Sequence, residues 1–252
     1  MRRLDLTLPS PAENLAADEA LLDWCEAGVG DEALLFWEPR ETFVVVGYAN
    51  KVATEVNVAV CEAKGIPIFR RCSGGGAVVQ MSGGLNYSLI LRIAENSPTR
   101  NITSANQFIM EKNRAAIEAA VKSLKPEAEI AVSGHTDLTL VTRHPSPVTF
   151  QKFAGNSQRR RKHFLLFHGT LLLNSNLALI GELLLTPTIQ PDYRARRPHE
   201  DFVTNLNLPA GIVRAALAKE WTAVGAFNHP PLAEISKLAR EKYSARGWNF
   251  RF

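Results

Sequence analysis

The chain has 252 residues, of which 46% are hydrophobic and 21% are charged, and its net charge of +4 gives a pI near 9.0. This composition is typical of a globular protein, and the charge excess is too small to predict a nucleic-acid partner. We expect no membrane partner, because no apolar run is long enough to cross a bilayer and the N-terminal residues lack an apolar core long enough for a signal peptide. Three cysteines at spacings that match no zinc motif predict a reducing, cytoplasmic location.

Hydrophobic spacing predicts alternating helices and strands in the first half of the chain. Ser10 and Pro11 are typical of a helix start, and a glycine ends the predicted helix. The turn at 81–84 contains two glycines and predicts a hairpin between the strands on either side. The predicted helices are 11–28, 57–64 and 104–124, and the predicted strands are 34–37, 43–47, 66–70, 77–80 and 85–93.

The second half is predicted to contain more strands and then a helical end. The strands are 130–132, 138–141, 148–154 and 164–173, with a proline-rich hairpin loop at 143–147. The helices are 177–184, 208–225 and 231–243, with an irregular segment at 186–198. These elements predict an α+β fold, a mixed, largely antiparallel sheet packed with helices. We expect one domain over 1–252, with a core at 1–205 and a small helical C-terminal extension at 206–252.

The stretch from Phe69 to Val79 contains two arginines, a serine and three consecutive glycines after a predicted strand. Glycines lose more backbone entropy on ordering than other residues, so three in a row indicate a ligand lying against the main chain. The arginines indicate that this ligand is anionic. The alternative is a plain turn or a bulge at a sheet edge. The predicted binding residues are Arg70, Arg71, Ser73, Gly74, Gly75, Gly76 and Ala77.

A second group of polar residues lies in the later predicted strands. Lys152 stands between apolar neighbours, and Gly155, where we expect a tight turn, and Gln158 follow it. Further on, His168, Gly169 and Thr170 interrupt an apolar strand, where buried polar side chains need partners. A solvated strand lysine and a core histidine are the alternatives to a functional site.

Taken together, these motifs resemble the lipoate–protein ligase and octanoyltransferase family, whose more distant relatives are the biotin–protein ligases. The resemblance covers roughly residues 12–205, and the motifs follow the order of the family. It is carried by Arg70-Arg-x-Ser-Gly-Gly-Gly-Ala-Val, Gly84-x-Asn86-Tyr-Ser-Leu89, Lys152-x-x-Gly155-x-x-Gln158-x-Arg160, His168-Gly-Thr-Leu171, and the supporting Asn14-x-x-x-Asp18-Glu-Ala20 and Gly134-x-x-Asp137-Leu138.

The resemblance implies a biotin/lipoate ligase-like catalytic domain that attaches a lipoyl or octanoyl group to a lysine of an acidic lipoyl domain. It implies lipoate or octanoate as substrate and, in a ligase, ATP and Mg²⁺ for an acyl-adenylate. Lys152 is then the catalytic residue at the acyl carbonyl, and Asp137 either meets the metal or adenine or caps its own turn. The glycine loop binds the acyl-adenylate together with Asn86, Gly155, Gln158, His168, Gly169 and Thr170.

Two departures from the family concern cysteines. One octanoyltransferase branch has a cysteine shortly before the position of Asp137, where this chain has His135 and Thr136. The other branch has its cysteine after the His-Gly region, and the stretch 171–185 contains none. These departures favour adenylate chemistry over transfer through a cysteine. Because family ligases often carry an accessory domain, a separate accessory subunit or the use of preformed acyl-adenylate is expected here.

Several alternatives stay open at this point. An ATP-independent octanoyl or lipoyl transferase is the runner-up, and a non-catalytic relative that binds a lipoyl group or a nucleotide is the rival from another class. A biotin ligase fits the lysine and histidine motifs less well. Cys72 is a conceivable nucleophile within the glycine motif. The run 159–162 is either a solvated basic turn or a docking site for an acidic acceptor domain.

Overall fold

The computed structural model describes residues 1–143, 148–187 and 190–252. The predicted proline-rich loop at 143–147 falls mostly outside them. The strands within the described residues are β1 (Arg2–Asp5), β2 (Ala33–Trp37), β3 (Phe43–Val46), β4 (Ile68–Arg70), β5 (Val78–Gln80), β6 (Gly84–Arg92), β7 (Glu129–Ser133), β8 (Asp137–Thr142), β9 (Thr149–Arg160), β10 (Phe164–Leu172) and β11 (Gly225–Ala226).

Helices lie in three parts of the described chain: before β4, between β6 and β7, and after β10. The α-helices are α1 (Pro11–Glu26), α2 (Val52–Glu55), α3 (Val58–Ala63), α4 (Ile102–Lys122), α5 (Ala178–Leu183), α6 (His199–Phe202), α7 (Ala210–Glu220), α8 (Leu232–Leu238) and α9 (Arg246–Asn249). Short 3₁₀ turns lie at Pro98–Arg100 and Asp192–Arg194, and a π-helix continues α8 over Ala239–Tyr243. None of the described helices is long and apolar enough to cross a membrane.

The described strands form a large and a small sheet. The large sheet has eight strands in the order β11-β1-β2-β6-β10-β9-β8-β7, parallel between β11, β1 and β2 and antiparallel elsewhere. The prediction of a mixed, largely antiparallel sheet packed with helices is therefore confirmed. The four-residue β1 was not predicted, because two arginines and an aspartate hide its alternation.

The small sheet has the order β4-β3-β5 and carries the glycine loop between β4 and β5. The predicted hairpin at 81–84 is wrong, because β5 pairs with β3 and β6 belongs to the large sheet. Gly83 and Gly84 lie instead where the chain passes from β5 of the small sheet to β6 of the large sheet. Gly83 has a φ of +86°, and a Cβ there would lie 2.2 Å from the Asn174 carbonyl oxygen.

Helices cover both faces of the large sheet. At the start of α1, Ser10 and Glu13 form the reciprocal capping box, and the helix packs against α8 and the π-helix. On the other side, α4 packs against α7, where Trp221 and Asn113 are joined by a hydrogen bond of 2.8 Å. Residues 206–252 thus contribute apolar side chains to the same clusters as the earlier part of the chain.

Strand β9 is longer than predicted and contains the whole lysine motif. The predicted tight turn at Gly155 is wrong, because Gly155 lies within the strand. The pairing of β8 with β9 shifts register at Leu138 and Thr139, which is a β-bulge at Phe153. Phe153 and Ala154 are consequently both buried. A bulge of this kind changes the direction of nearby side chains, and it sets where Lys152 points.

Candidate active site

A cavity of about 620 Å³ lies between the glycine loop and strands β9 and β10 of the large sheet. This volume is within the usual range for small-molecule sites. The glycine loop contacts β9 directly, because the Ser157 hydroxyl donates to the Gly74 carbonyl at 2.9 Å. The predicted residues that line the cavity are Arg71, Gly75, Gly76, Ala77, Asn86, Asp137, Lys152, Gly155, His168, Gly169 and Thr170.

The Lys152 ammonium is held at one point of this cavity. Its Nζ donates to Asp137 Oδ1 at 2.8 Å, and the Tyr193 hydroxyl donates to Asp137 Oδ2 at 2.7 Å. Burial, followed by the charge of Asp137, raises the pKa of Tyr193, so the phenol stays protonated and keeps donating. Gly155 makes room for the ammonium, since a Cβ there would lie 2.9 Å from Nζ.

The side chain of Arg71 holds the glycine loop in place through hydrogen bonds to its main chain. Its guanidinium donates to the carbonyl oxygens of Gly74 and Gly76, at 2.5 and 2.8 Å from Nη2. Burial lowers the pKa of Arg71 to about 10, so the side chain remains a cation at neutral pH. These carbonyls therefore point toward Arg71, and the structure gives no acceptor to the amide N–H groups of Gly74, Gly75 and Gly76 among the described residues.

Arg70 does not line the cavity. Its fully buried side chain donates to main-chain carbonyls of the loop after β3 and of α9 (Gly47, Tyr48, Asn50, Trp248 and Asn249). Because these five carbonyls occupy its donors, the predicted direct contact of Arg70 with a ligand does not fit this geometry. Arg70 instead ties the C-terminal segment to the base of the glycine loop.

A buried chain of hydrogen bonds joins Asp18, His168 and Ser73. His168 Nδ1 lies 2.6 Å from Asp18 Oδ2, and His168 Nε2 lies 2.5 Å from Ser73 Oγ. Arg71 Nε donates to the same Ser73 oxygen at 3.1 Å, and the Ser88 hydroxyl donates to Asp18 Oδ1 at 2.6 Å. Asp18, Ser88 and His168 line the cavity. Sequence reasoning noted Asp18 only as part of a supporting motif, since 150 residues separate it from His168.

The cavity floor is a closed amide and hydroxyl network. Gln80 Nε2 donates to Asn86 Oδ1 at 2.9 Å and to Thr170 Oγ1 at 2.8 Å, and Thr170 donates to Asn86 at 2.6 Å. Gly169 is required beside it, because a Cβ would lie 1.8 Å from Asn156 Oδ1. The floor is therefore rigid, and its predicted members Asn86, Gly169 and Thr170 are brought together.

Three other predicted residues do not line the cavity. Gln158 Nε2 donates to Asn106 and to the Ile102 carbonyl, so it points toward α4. Ser73 is 1% exposed and lies behind His168, and Gly74 lies beside Ser157 at the outer side of the loop. Tyr193 and Ser88 line the cavity but were not among the predicted binding residues. Tyr193 lies in the segment predicted to be irregular, and Ser88 was noted only as part of the motif from Gly84 to Leu89.

No cysteine lines the cavity among the described residues. Cys25, Cys61 and Cys72 are the three cysteines of the chain, and all are buried free thiols. Burial raises the pKa of Cys25 and of Cys72 to about 12. Cys72 thus packs within the apolar cluster beside α1, which opposes its alternative role as a nucleophile.

Fold and cavity together place a glycine-rich loop and a lysine around one cavity, beside a mixed sheet packed with helices. Residues 10–218 match the family described as the lipoyl protein ligase A/B catalytic domain, and the chain belongs to this family. It is similar to octanoyltransferase LipM of Carboxydothermus hydrogenoformans (31% identity, 96% of each chain) and of Geobacillus kaustophilus strain HTA426 (28% identity, 99% of this chain and 98% of the other).

A solved structure supports the fold. The structure of a bi-partite lipoate protein ligase from Thermoplasma acidophilum, studied with its E2 lipoyl domain, superposes with a TM-score of 0.74. It is 22% identical and the match covers 99% of this chain and 95% of that chain. At this identity the likeness concerns the arrangement of helices and strands.

Proposed function

We propose that this protein transfers an octanoyl or lipoyl group from a carrier-bound thioester to a lysine of a lipoyl domain, without ATP. The proposal differs from the adenylate route favoured by the sequence motifs. It is supported by the similarity, over nearly the whole chain, to proteins named octanoyltransferase. The observation on which it rests is that the Lys152 ammonium and the bare main chain of Gly75 and Gly76 line one cavity.

In this proposal Lys152 stabilises the charge that develops on the acyl carbonyl oxygen. Acyl transfer passes through a tetrahedral oxyanion, and one fixed donor aimed at it contributes about 3 kcal/mol. Asp137 and Tyr193 act as positioning residues, since Asp137 holds the ammonium and Tyr193 holds Asp137. The free amide groups of the glycine loop are further donors for the same oxygen.

The acyl chain is proposed to extend toward α1 and the small sheet. The cavity lining there includes the apolar side chains of Leu15, Trp37 and Val45 and the ring of Tyr87. Burial of a methylene group contributes about 0.8 kcal/mol, so an eight-carbon chain supplies most of the binding energy. The polar floor at Gln80, Asn86 and Thr170 remains on the side of the carbonyl group.

An adenylate-forming ligase is the second candidate, because none of the described residues that line the first cavity is a cysteine. A second, partly apolar cavity of about 240 Å³ also adjoins Lys152, Ala77 and Val78. ATP would be its cofactor, and a separate accessory subunit one of its partners. The residues present do not fit the expected Mg²⁺. Both oxygens of Asp137 are already bonded, and the described residues contain no group of three metal-binding side chains.

The proposed acceptor is an acidic lipoyl domain. The related Thermoplasma ligase was studied with such a domain. In this chain, Arg161 of the basic run is paired with Asp23 and Glu19, whereas Arg159 lies over the Tyr48 ring, next to the glycine loop. Arg159 is therefore the better placed of the two for an acidic partner. The cytoplasmic location and the absence of a nucleic-acid partner stay predictions.

The test is transfer to a purified apo lipoyl domain, followed by intact mass spectrometry. One reaction contains octanoyl carrier protein without ATP, and the other contains lipoate with ATP and Mg²⁺. We expect acylation in the first and none in the second. Acylation only in the second establishes the ligase instead, and binding of acyl groups without acylation in either establishes the non-catalytic rival. A labelled-biotin reaction with a biotin-acceptor domain excludes a biotin ligase if that domain stays unlabelled.

A further inference from the structure

Acyl transfer to a lysine needs a group that accepts protons, and the Lys152 ammonium, which donates to Asp137, is not such a group. A free lysine side chain has a pKa of about 10.4, so at pH 7 only about one acceptor lysine in a few thousand is the neutral amine that can attack. A positioned base contributes about 10²–10⁴-fold to such a reaction. A base that lines the cavity therefore has a large effect on the rate.

Most of the titratable side chains that line the cavity have their acceptor atoms occupied. Both oxygens of Asp137 are paired with neighbouring side chains, and so are both oxygens of Asp18. The two ring nitrogens of His168 are likewise hydrogen-bonded. Within the described part of the lining, the remaining proton acceptors are His135 and Asp192, and neither side chain is hydrogen-bonded to another described residue.

His135 lies at the tip of the hairpin that joins β7 to β8. The turn consists of residues 134–136, and Gly134 in it has a φ of +56°. His135 is two residues from Asp137, which places their Cα atoms within about 7 Å of each other. Asp137 in turn holds the Lys152 ammonium at 2.8 Å. His135 and Lys152 therefore line neighbouring parts of one cavity.

Asp192 belongs to a segment that packs on this hairpin. A Cβ on Gly134 would lie 3.4 Å from Pro191 Cβ and 3.5 Å from Tyr193 Cε1, so the turn and the segment are in direct contact. His135 and Asp192 are both exposed, and both line the cavity. An imidazole and a carboxylate at the opening are thus accessible to an ammonium group that enters from outside.

We propose that His135 is the general base that deprotonates the acceptor lysine, and that Asp192 binds the entering ammonium group. His135 takes the first proton from the ammonium and releases it to water, which its exposure allows. The neutral amine attacks the acyl carbon, and His135 takes a second proton from the nitrogen. As the carbon–sulfur bond breaks, the thiolate accepts that proton and leaves as a thiol. An imidazole suits this cycle, because it binds and releases protons near neutral pH.

The charges on this side of the cavity fit these roles. The Lys152 ammonium and the Asp137 carboxylate compensate each other, and burial raises the pKa of Tyr193, so the phenol is neutral. The Asp192 carboxylate then attracts the entering cation and stabilises the imidazolium that forms on His135. Lys152 binds the acyl oxygen, so the acyl group and the incoming amine are contacted by different side chains.

This inference rests on the proposed transfer to a lysine, and its test compares two acyl acceptors. One is the apo lipoyl domain, and the other is hydroxylamine, which is already a neutral amine at pH 7. Octanoyl carrier protein is the donor in both reactions, and the rate without protein is subtracted. His135→Ala should lower kcat for the lipoyl domain by about 10²-fold at pH 7 and change transfer to hydroxylamine by no more than a few-fold. A purely structural role of His135 predicts that both rates fall.

The pH profile gives a second readout. Without a base, the rate follows the neutral fraction of the acceptor lysine and rises about ten-fold per pH unit. The difference between wild type and His135→Ala should therefore narrow from about 10²-fold at pH 7 to a few-fold at pH 9, and added imidazole should restore part of the rate at pH 7.

Two further variants complete the test. Asp192→Asn should raise KM for the lipoyl domain by a few-fold and leave kcat nearly unchanged, since Asp192 binds the ammonium and takes no proton from it. His229→Ala is the matched control and should behave as wild type, because His229 is exposed and does not line the cavity.

The inference is overturned if His135→Ala acylates the lipoyl domain at the wild-type rate at pH 7, if it loses transfer to both acceptors equally, or if the difference stays constant from pH 7 to pH 9. In these cases the transferase function itself stands. If the thioester fails with wild-type protein, the proposed function fails; the same variants are then measured with lipoate and ATP, where the acceptor lysine still has to lose its protons and the same outcomes decide. If neither donor acylates the domain, both proposals fail.

Discussion

A close main-chain contact in the site predicts the effect of one added methyl group. Gly47 follows β3, and a Cβ there would lie 1.9 Å from the Gly75 carbonyl oxygen. Because ordinary contacts to a Cβ begin near 3.4 Å, Gly47→Ala must displace the glycine loop by about 1.5 Å. Overpacking of this kind costs about 1–3 kcal/mol of stability, and a displacement of about 1 Å at a reacting centre can lower the rate by about 10²-fold.

The assay is acyl transfer to a lipoyl domain by mass spectrometry, together with thermal unfolding. We expect Gly47→Ala to unfold cooperatively at a lower temperature and to lose about 10²-fold in rate. Gly211→Ala is the matched control, because a Cβ there has no neighbour within 4 Å and its helical position gains stability. Full activity and unchanged acyl binding in Gly47→Ala would refute the claim that the substrate lies against this loop.

Three further predictions concern the lysine, the arginine and the thiols. Asp137→Asn should reduce the transfer rate by up to about 10²-fold, because it misplaces the Lys152 ammonium. Tyr193→Phe removes one hydrogen bond worth about 1 kcal/mol and should reduce the rate by less than about ten-fold. Equal effects of the two variants would contradict this order. Arg70→Lys should lower the free energy of unfolding, measured by urea titration, by about 3 kcal/mol. Acyl affinity should change by no more than a few-fold, because the five carbonyl partners of Arg70 are structural. A selective loss of acyl affinity would instead support the predicted contact of Arg70 with the ligand. At pH 8 a thiol with a pKa of about 12 is a thiolate in only about one molecule in 10⁴. Iodoacetamide should therefore modify Cys72 and Cys25 about 10³-fold more slowly in the native protein than in the unfolded chain. Rapid labelling of Cys72 in the native protein would contradict its assignment to the core.

The sequence was most informative where the chemistry lies in one short stretch. The glycine loop, Lys152 and the His168-Gly-Thr segment were found by their residue types, and the structure places most of them around one cavity. The strands that carry them were also predicted, because β-branched and apolar runs with turn residues between them identify strands locally.

What the sequence could not predict depends on pairing between distant segments. The bulge at Phe153 that directs Lys152 exists only through the register of β8 against β9. Arg70 and Arg71 are adjacent, yet the first binds carbonyls of the C-terminal segment and the second binds the glycine loop. The link between Asp18 and His168 joins helix α1 to strand β10, and no local pattern indicates it.

The most direct test of the central claim is a crystal structure of the protein with a non-reactive octanoyl amide. We predict that the amide carbonyl oxygen lies within hydrogen-bond distance of Lys152 Nζ, on the same side as the amide groups of Gly75 and Gly76. The octanoyl chain should extend toward Leu15 and Trp37. A carbonyl oxygen that faces solvent, away from both the ammonium and the glycine loop, would contradict the account.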